Sequence, residues 1–223
     1  MTKHRAFKDA VYEQLGRVGR AVGSPRRIEL LELLCQAPRT VEVLAELTGQ
    51  SVANTSHHLQ GLRRAQLVEA ERAGLYVTYR VADEEVCRFV VALRQLADAR
   101  LAELEQVTRQ FLTAEDLEET DLKQALSRAR RGEVLLLDVR PAEEYRAGHL
   151  PGALSLPLAE LQARLAELPR KTPILADCRG RYCVLAVEAV RKLRRQGYQA
   201  VRLAEGVPDF RARGLALRSG AEP

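Results

Sequence analysis

Apolar side chains near the start of the chain recur at a helical interval: Val11, Leu15, Val18 and Val22. That spacing places them on one face of a helix. Gly23-Ser24-Pro25 interrupts the pattern, and a serine followed by proline fits an N-cap with proline in the first turn of the next helix. Ile28, Leu31 and Leu34 form the stripe of that second helix, which Pro38 stops. A short helix is predicted over Val41–Leu47, ended by Thr48-Gly49, and another from Ser51 towards Ala65. "LVEAERAGLYVTYRV" then alternates with period two on either side of Ala73-Gly74, which predicts a hairpin. Residues 83–112 return to a helical rhythm, with Val86, Val90, Leu93, Ala97, Leu101, Leu104 and Phe111 near one face. One helix of that length measures roughly 45 Å. A small domain does not easily bury such a stripe alone, so a dimer seam is expected there.

After residue 112 the rhythm changes to strands alternating with helices. A polar helix is predicted over about 115–131, ended by Gly132. "EVLLLDV", "PILAD" and "QAVRL" are continuous apolar runs, as in parallel strands covered on both faces. "VLAVEAVRKLRRQG" lies between the last two and reads as a helix closed by Gly197. This β-α-β alternation implies an α/β domain. The join, "FLTAEDLEET", contains no Pro, Gly or Ser, and is expected to be a short helical connection that couples the domains closely. The chain thus divides into a mainly-α domain over 1–112 and an α/β parallel-sheet domain over 113–223.

The composition fits a soluble globular protein, with 46% hydrophobic and 29% charged residues. No apolar run approaches the length of a membrane span, and "MTKHRAFKDA" lacks the apolar core of a secretion signal. No membrane partner and a cytoplasmic location are therefore expected. Four cysteines do not make a disulfide framework at this length, which leaves reactive or sensing roles open to them. The net charge is +5 and is shared evenly, +2 before residue 113 and +3 after it. Charge permits nucleic-acid binding without arguing for it.

The order of elements argues for it more strongly. A short helix, a tight turn, a second helix and a hairpin form the succession of a winged helix-turn-helix. The second helix carries Ser51, Asn54, Thr55, Ser56, His57 and His58 towards its N-terminal end, with Arg63 and Arg64 further on. Short polar side chains there reach base edges, and cations hold phosphates. Val52, Leu59 and Leu62 are expected to face inward. Arg72, Tyr76 and Arg80 of the hairpin would lie beside the DNA.

On "GSPRRIELLELL" and "LAELTGQSVANTSHHLQGLRRAQLVEAERAGLYVTYRV", the chain resembles the ArsR family of winged-helix repressors over roughly residues 11–82. The resemblance implies a homodimer that binds a palindromic double-stranded operator and dissociates on sensing a signal. Where the family's metal-sensing branch commonly has Cys-Val-Cys, this chain reads Val41-Glu42-Val43. Residues 83–112 contain no histidine, so the zinc pattern of the last helix is absent too. His57 and His58 are adjacent and diverge by about 100° on a helix, a poor metal pair. No metal site and no cofactor are expected. Cys35 and Cys87 read as buried structural thiols, and the sequence does not place them within bonding distance.

"CRGRYC", residues 178–183, joins an apolar strand to a helix. That is the carboxyl edge of a parallel sheet, where α/β sites form and a helix presents its positive end. A thiolate at Cys178 would gain from those amides and from Arg179 and Arg181. Gly180 permits a turn that a side chain would obstruct. With "LLLDVRPAEEYRAGHLPGALSLPLAEL" and "EGVPDFRARGL", this stretch resembles the rhodanese family of sulfurtransferases over about residues 116–217. The resemblance implies that Cys178 is the nucleophile. It would take sulfane sulfur from thiosulfate, polysulfide or a persulfide and pass it to a thiol acceptor. Arg179, Gly180, Arg181, Tyr182 and Cys183 would cradle the substrate. Asp138, Arg140, Glu144 and His149 match framework positions.

Two departures stand out, and one rival chemistry is set aside. Asp177 precedes the nucleophile where the family often has tyrosine, and a carboxylate there would raise the thiol pKa unless it points away or pairs with an arginine. Phe210 stands where tryptophan is usual. Related phosphatases and arsenate reductases need an arginine six residues after the cysteine, and Val184 occupies that place. The combined expectation is a DNA-binding regulator, a repressor, that responds to sulfane sulfur through a persulfide on Cys178, with Cys183 either a resolving thiol or a packing one. The alternatives are a sulfurtransferase whose DNA-binding domain governs its own expression, and a metalloid-responsive regulator.

Overall fold

The computed structural model describes residues 2–113, 119–120 and 122–220. Two compact units divide at 90/91, Met1–Val90 and Val91–Pro223.

The first unit opens with α1 (Lys3–Val22) and α2 (Pro25–Gln36). Ser24 does occupy the N-cap of α2, with Pro25 following, but its side chain makes no cap hydrogen bond. A two-residue strand, β1 (Arg39–Thr40), leads into α3 (Val41–Thr48). Thr40 caps α3 by accepting from the Val43 amide, and Gly49 ends it in the left-handed region at φ 62°, where glycine carries no steric cost. α4 (Val52–Arg64) starts at Ser51, whose hydroxyl accepts from the Asn54 amide at 3.2 Å. The hairpin pairs β2 (Val68–Ala73) with β3 (Tyr76–Val81), and β1 adds to the far side of β3. Its register sets Ala73 opposite Tyr76. The turn is therefore Gly74-Leu75, one residue later than expected, because glycine supplies the positive φ of 62° at the first turn position.

Leu30, Leu31, Leu34, Leu44, Leu59 and Leu62 lie at the heart of this unit's core, with Cys35 and Cys87 among them. Val52, expected to face inward, is 47% exposed, and Thr55 takes the inward position instead at 0%. Val52 shares the phase of Thr55, Leu59 and Leu62 but is the first residue of the helix, and the buried face begins only at Thr55.

The long helix expected over 83–112 is two helices, α5 (Glu84–Arg100) and α6 (Ala102–Phe111). Leu101 between them is extended, at φ −109° and ψ 97°. No glycine or proline marks the break. The apolar stripe is anchored only at its start: Val86 and Val90 are buried, whereas Leu101, Val107 and Phe111 are exposed. Without a core beneath it, the stripe does not fix one continuous helix.

The second unit carries a parallel sheet. Its strands are β4 (Glu119–Thr120), β5 (Leu135–Asp138), β6 (Leu154–Ser155), β7 (Ile174–Asp177) and β8 (Ala200–Leu203), in the order β4-β8-β7-β5-β6. Between them lie α7 (Leu122–Arg130), α8 (Ala142–Ala147) and α9 (Val184–Arg195), and α10 (Val207–Ala212) follows β8. The polar helix expected from 115 begins only at Leu122, since Glu119-Thr120 extends the sheet beside β8. Half of the connection expected to be helical, residues 114–118, lies outside the described residues. Leu137, Ala176 and Ile174 pack under α9 on one face of the sheet. Leu136 and Leu175 join Leu122, Val207 and Phe210 on the other. Both faces are thus covered, which accounts for the uninterrupted apolar runs of β5 and β7.

Candidate functional site

β7 and α9 are joined by residues 178–183, at the carboxyl edge of the sheet. Cys178 and Cys183 are joined in a disulfide, with Cα atoms 6.4 Å apart. Cys178 is 4% exposed, and Cys183 is the N-cap of the twelve-residue α9, so the second sulfur sits at the positive end of that helix. The turn that returns the chain needs Gly180, at φ 126°, and closes with the Cys183 amide donating to the Gly180 carbonyl at 3.0 Å. Any side chain at 180 would be strained there.

Behind the loop stands Gly206. A Cβ on it would come within 2.5 Å of the Cys178 carbonyl oxygen and the Arg179 carbonyl carbon. The Gly206 amide donates to the Asp209 carboxylate at 3.0 Å. Asp209, 4% exposed at its side chain, also forms an ion pair with Arg94 of α5. Tyr182, within the loop, donates its hydroxyl to Asp98 of α5. Burial, the bond to Asp98 and the charge of Asp98 push the Tyr182 phenol up to about 12. A cavity of about 540 Å³ opens beside these residues, with Leu104, Thr108, Arg109, Arg181, Tyr182 and Arg202 in its lining.

The arginines of the loop are placed differently from expectation. Arg179 makes a fork to buried Glu144, with Nη2 to Oε1 at 2.6 Å and Nε to both oxygens at 3.1 Å, so it serves the framework rather than the thiol. Arg181 is exposed, and its carbonyl accepts from Arg202 Nη1 at 2.8 Å. The framework itself is fully buried. Arg140 pairs with Asp138 at 2.6 Å and donates to the Gly148 carbonyl at 2.8 Å. His149 stacks on Tyr145 with ring centroids 3.6 Å apart.

Asp177 is buried, and no side chain pairs with its carboxylate. Burial and the neighbouring charge of Asp138 push its carboxyl well above the usual carboxylate range, against the opposing pulls of Arg140 and the Cys178 amide.

In the first unit, Asn54 and His57 are exposed on α4, with Ser56 and His58 half-buried. Asn54 Nδ2 donates to Gln50 Oε1 at 2.7 Å. Burial, helped by Arg27, His57 and Arg26, holds the His58 ring below its ordinary value. Arg63 and Arg64 are exposed at the far end of the helix. Arg72 Nε donates to the Gly74 carbonyl at 3.2 Å, and Tyr76 is 63% exposed on the hairpin. Thr55 is withdrawn from this set, because a fully buried hydroxyl cannot meet a base. His57 and His58 rings lie 6.1 Å apart. Among the described residues no group of three or more His, Cys, Asp or Glu side chains gathers as a metal site.

Sequence reasoning missed Gly206, Asp209, Arg94 and Asp98. Gly206 and Asp209 lie in a quoted family stretch, "EGVPDF", but their contacts with the loop have no local signature. Arg94 and Asp209 are 115 residues apart.

A winged helix-turn-helix and a parallel-sheet unit with a thiol loop define a class: a DNA-binding regulator carrying a rhodanese-like domain. Residues 24–70 match the model of the bacterial regulatory proteins of the arsR family, and residues 121–213 that of the rhodanese-like domain. The chain is 42% identical to the HTH-type transcriptional regulator Rv0324 of Mycobacterium tuberculosis, over 96% of this chain and 94% of that one. It is 30% identical to a sulfurtransferase of Allochromatium vinosum over 38% of this chain and 78% of that one. Among solved structures it is similar to the homodimeric winged helix-turn-helix domain of Mb0332 from Mycobacterium bovis, at 37% identity and TM-score 0.42, covering 46% of this chain and 93% of that fragment. The chain belongs to the arsR family of transcriptional regulators, with a rhodanese-like domain following the DNA-binding one.

Proposed function

We propose that this regulator is a repressor that responds to sulfane sulfur, binding its double-stranded operator as a homodimer and releasing it when the 178–183 loop is oxidised. The observation that carries the reading is the pairing of Cys178 with Cys183 on a loop between a buried strand and a helix N-terminus. The Cys178 thiolate attacks the sulfane sulfur of thiosulfate, polysulfide or a persulfide. An Sγ–S bond forms, the donor's S–S bond breaks, and sulfite or the shortened donor leaves with the electron pair. The Cys183 thiolate then attacks Cys178 Sγ. The disulfide forms, and the terminal sulfur leaves as hydrosulfide. The two cysteines lose two electrons in all, and the donor's sulfur takes them. A thiol acceptor reverses the state by exchange through a mixed disulfide, two thiols being oxidised per loop reduced. Asn54, Ser56, His57 and His58 face base edges, with Ser51, Arg63, Arg64, Arg72 and Tyr76 near the backbone.

The test uses the full chain, reduced, on an operator selected from random duplex DNA. Tetrasulfide should weaken binding by about tenfold, within the usual range of a coupling between two sites. Mass spectrometry should find one added sulfur on Cys178 in a Cys183→Ser variant, and the intact disulfide in the wild type. Cys178→Ser should bind DNA and ignore the donor. Unchanged operator affinity in the wild type overturns the reading. Sustained thiosulfate:cyanide turnover alongside that result favours a sulfurtransferase that governs its own expression.

A further inference from the structure

We infer that Arg94 and Asp98 of α5 are positioning residues for the thiol loop, and that the last turns of α5 thereby report the loop's oxidation state. The inference rests on the sulfur-responsive reading above and adds the contact that carries the signal.

Both contacts lie within the second unit. Arg94 is packed against the middle of the loop: a Cβ on Gly180 would be 3.1 Å from its Nη1 and 3.4 Å from Asp209 Oδ2. The Arg94–Asp209 pair is largely withdrawn from water, with side chains 14% and 4% exposed. Such a pair holds its geometry, because breaking it strands a charge. Asp209 in turn receives the Gly206 amide, and Gly206 touches the backbone of Cys178 and Arg179. Asp98 holds the loop from a second point, through Tyr182. Of the four residues between the cysteines, α5 therefore touches Gly180 and Tyr182. In the disulfide form the loop ends are tied covalently and both residues are pressed to the helix. Opening the disulfide frees the loop at its base, so the grip on α5 slackens. α5 runs without interruption from Glu84 to Arg100, and its first turns give Val86, Cys87 and Val90 to the core of the DNA-binding unit. One element thus gives its first turns to that core and its last turns, through Arg94 and Asp98, to the thiol loop, which is what a two-state reporter needs.

The closing experiment is hydrogen exchange on the full chain, reduced and then oxidised with tetrasulfide, followed over residues 91–100 and paired with operator binding. Residues 91–100 should exchange about tenfold more slowly in the disulfide form, as expected for local opening that the loop contact suppresses. Asp98→Ala, at an exposed position, should still form the disulfide by mass spectrometry but show a reduced difference in exchange. Arg94→Lys keeps the pair with Asp209 and should keep the difference. Arg94→Ala should lose it, and where that variant folds poorly, Asp98→Ala decides. Equal exchange in the two forms of the wild type, or an undiminished difference in Asp98→Ala, overturns the inference. A clear exchange difference with unchanged operator affinity supports it while overturning the sulfur-responsive repressor, so the two failures are distinguishable.

Discussion

At the scale of single residues, Asp177 and Gly206 do most to shape the thiol loop. Asp177 is buried without a side-chain partner, and its pKa is raised. A carboxyl whose folded pKa exceeds its unfolded one binds its proton more tightly when folded. Its contribution is therefore fully present below the unfolded pKa of about 3.9 and is lost as pH rises through the folded value. Asp177→Asn should be more stable than the wild type at neutral pH, with the advantage shrinking towards pH ~4. Denaturant unfolding across that range checks this, and an equal pH slope in both proteins would show that Asp177 is satisfied in some other way. Gly206 acts by size. A methyl group there overlaps the backbone of Cys178 and Arg179. Gly206→Ala should cost about 1–3 kcal/mol, as overpacking does, and should slow persulfide formation at Cys178. The oddity of Asp177 was legible in the sequence, since a carboxylate beside a nucleophilic thiol invites the question. Its raised pKa was not, because that comes from burial and from Asp138, a strand away. Gly206 is one of fourteen glycines in the chain, and only its approach to the loop sets it apart.

At the scale of elements, α4 separates what periodicity reads well from what it reads poorly. Its limits, its Ser51 cap and the burial of Leu59 and Leu62 follow from the pattern. The assignment of Thr55 and Val52 does not, because a threonine's polarity outweighed its inward phase and Val52, though in phase, is the helix's first residue. Thr55 is at the buried position, with its hydroxyl unpaired, and Val52 is outside. Thr55→Val should thus be neutral or stabilising by up to about 1 kcal/mol, since a buried hydroxyl without a partner carries a desolvation cost. It should leave operator affinity unchanged. Asn54→Ala, one position earlier and exposed, should weaken specific binding by about 1–3 kcal/mol, the worth of a bidentate base contact. Fluorescence anisotropy on one operator compares the pair directly, and a loss confined to Thr55→Val would reverse the assignment. The break at Leu101 shows the opposite failure. The stripe across 83–112 is real as a pattern, but apolar spacing predicts a helix only where something covers it. The two-residue strands β1, β4 and β6 are too short to carry any alternation, and only their pairing partners reveal them.

At the scale of the whole molecule, the division into a DNA-binding unit and a rhodanese-like one was open to reading because each has its own rhythm, helical first and alternating afterwards. What the rhythm leaves unsettled is how the apolar stripe of α1 is covered. Phe7, Val11 and Leu15 recur along one face and are 68%, 40% and 61% exposed, whereas Val22, on the same line, is buried. An amphipathic helix exposed along most of its apolar face is poorly stabilised in a lone chain, since packing rather than propensity supplies most of a helix's stability. A second copy of the chain meets that need, and the proposed homodimer on a palindromic operator supplies one. Leu15→Glu places a charge in the middle of the stripe without disturbing the buried core. Analytical ultracentrifugation should find the wild type dimeric at micromolar concentration and Leu15→Glu shifted to monomer. Its operator affinity should fall by far more than the single-site loss of Asn54→Ala, because two half-sites then bind independently and the linkage between them is lost. A Leu15→Glu protein that stays dimeric would move the seam away from α1, towards the exposed apolar residues Leu101, Val107 and Phe111 around α6.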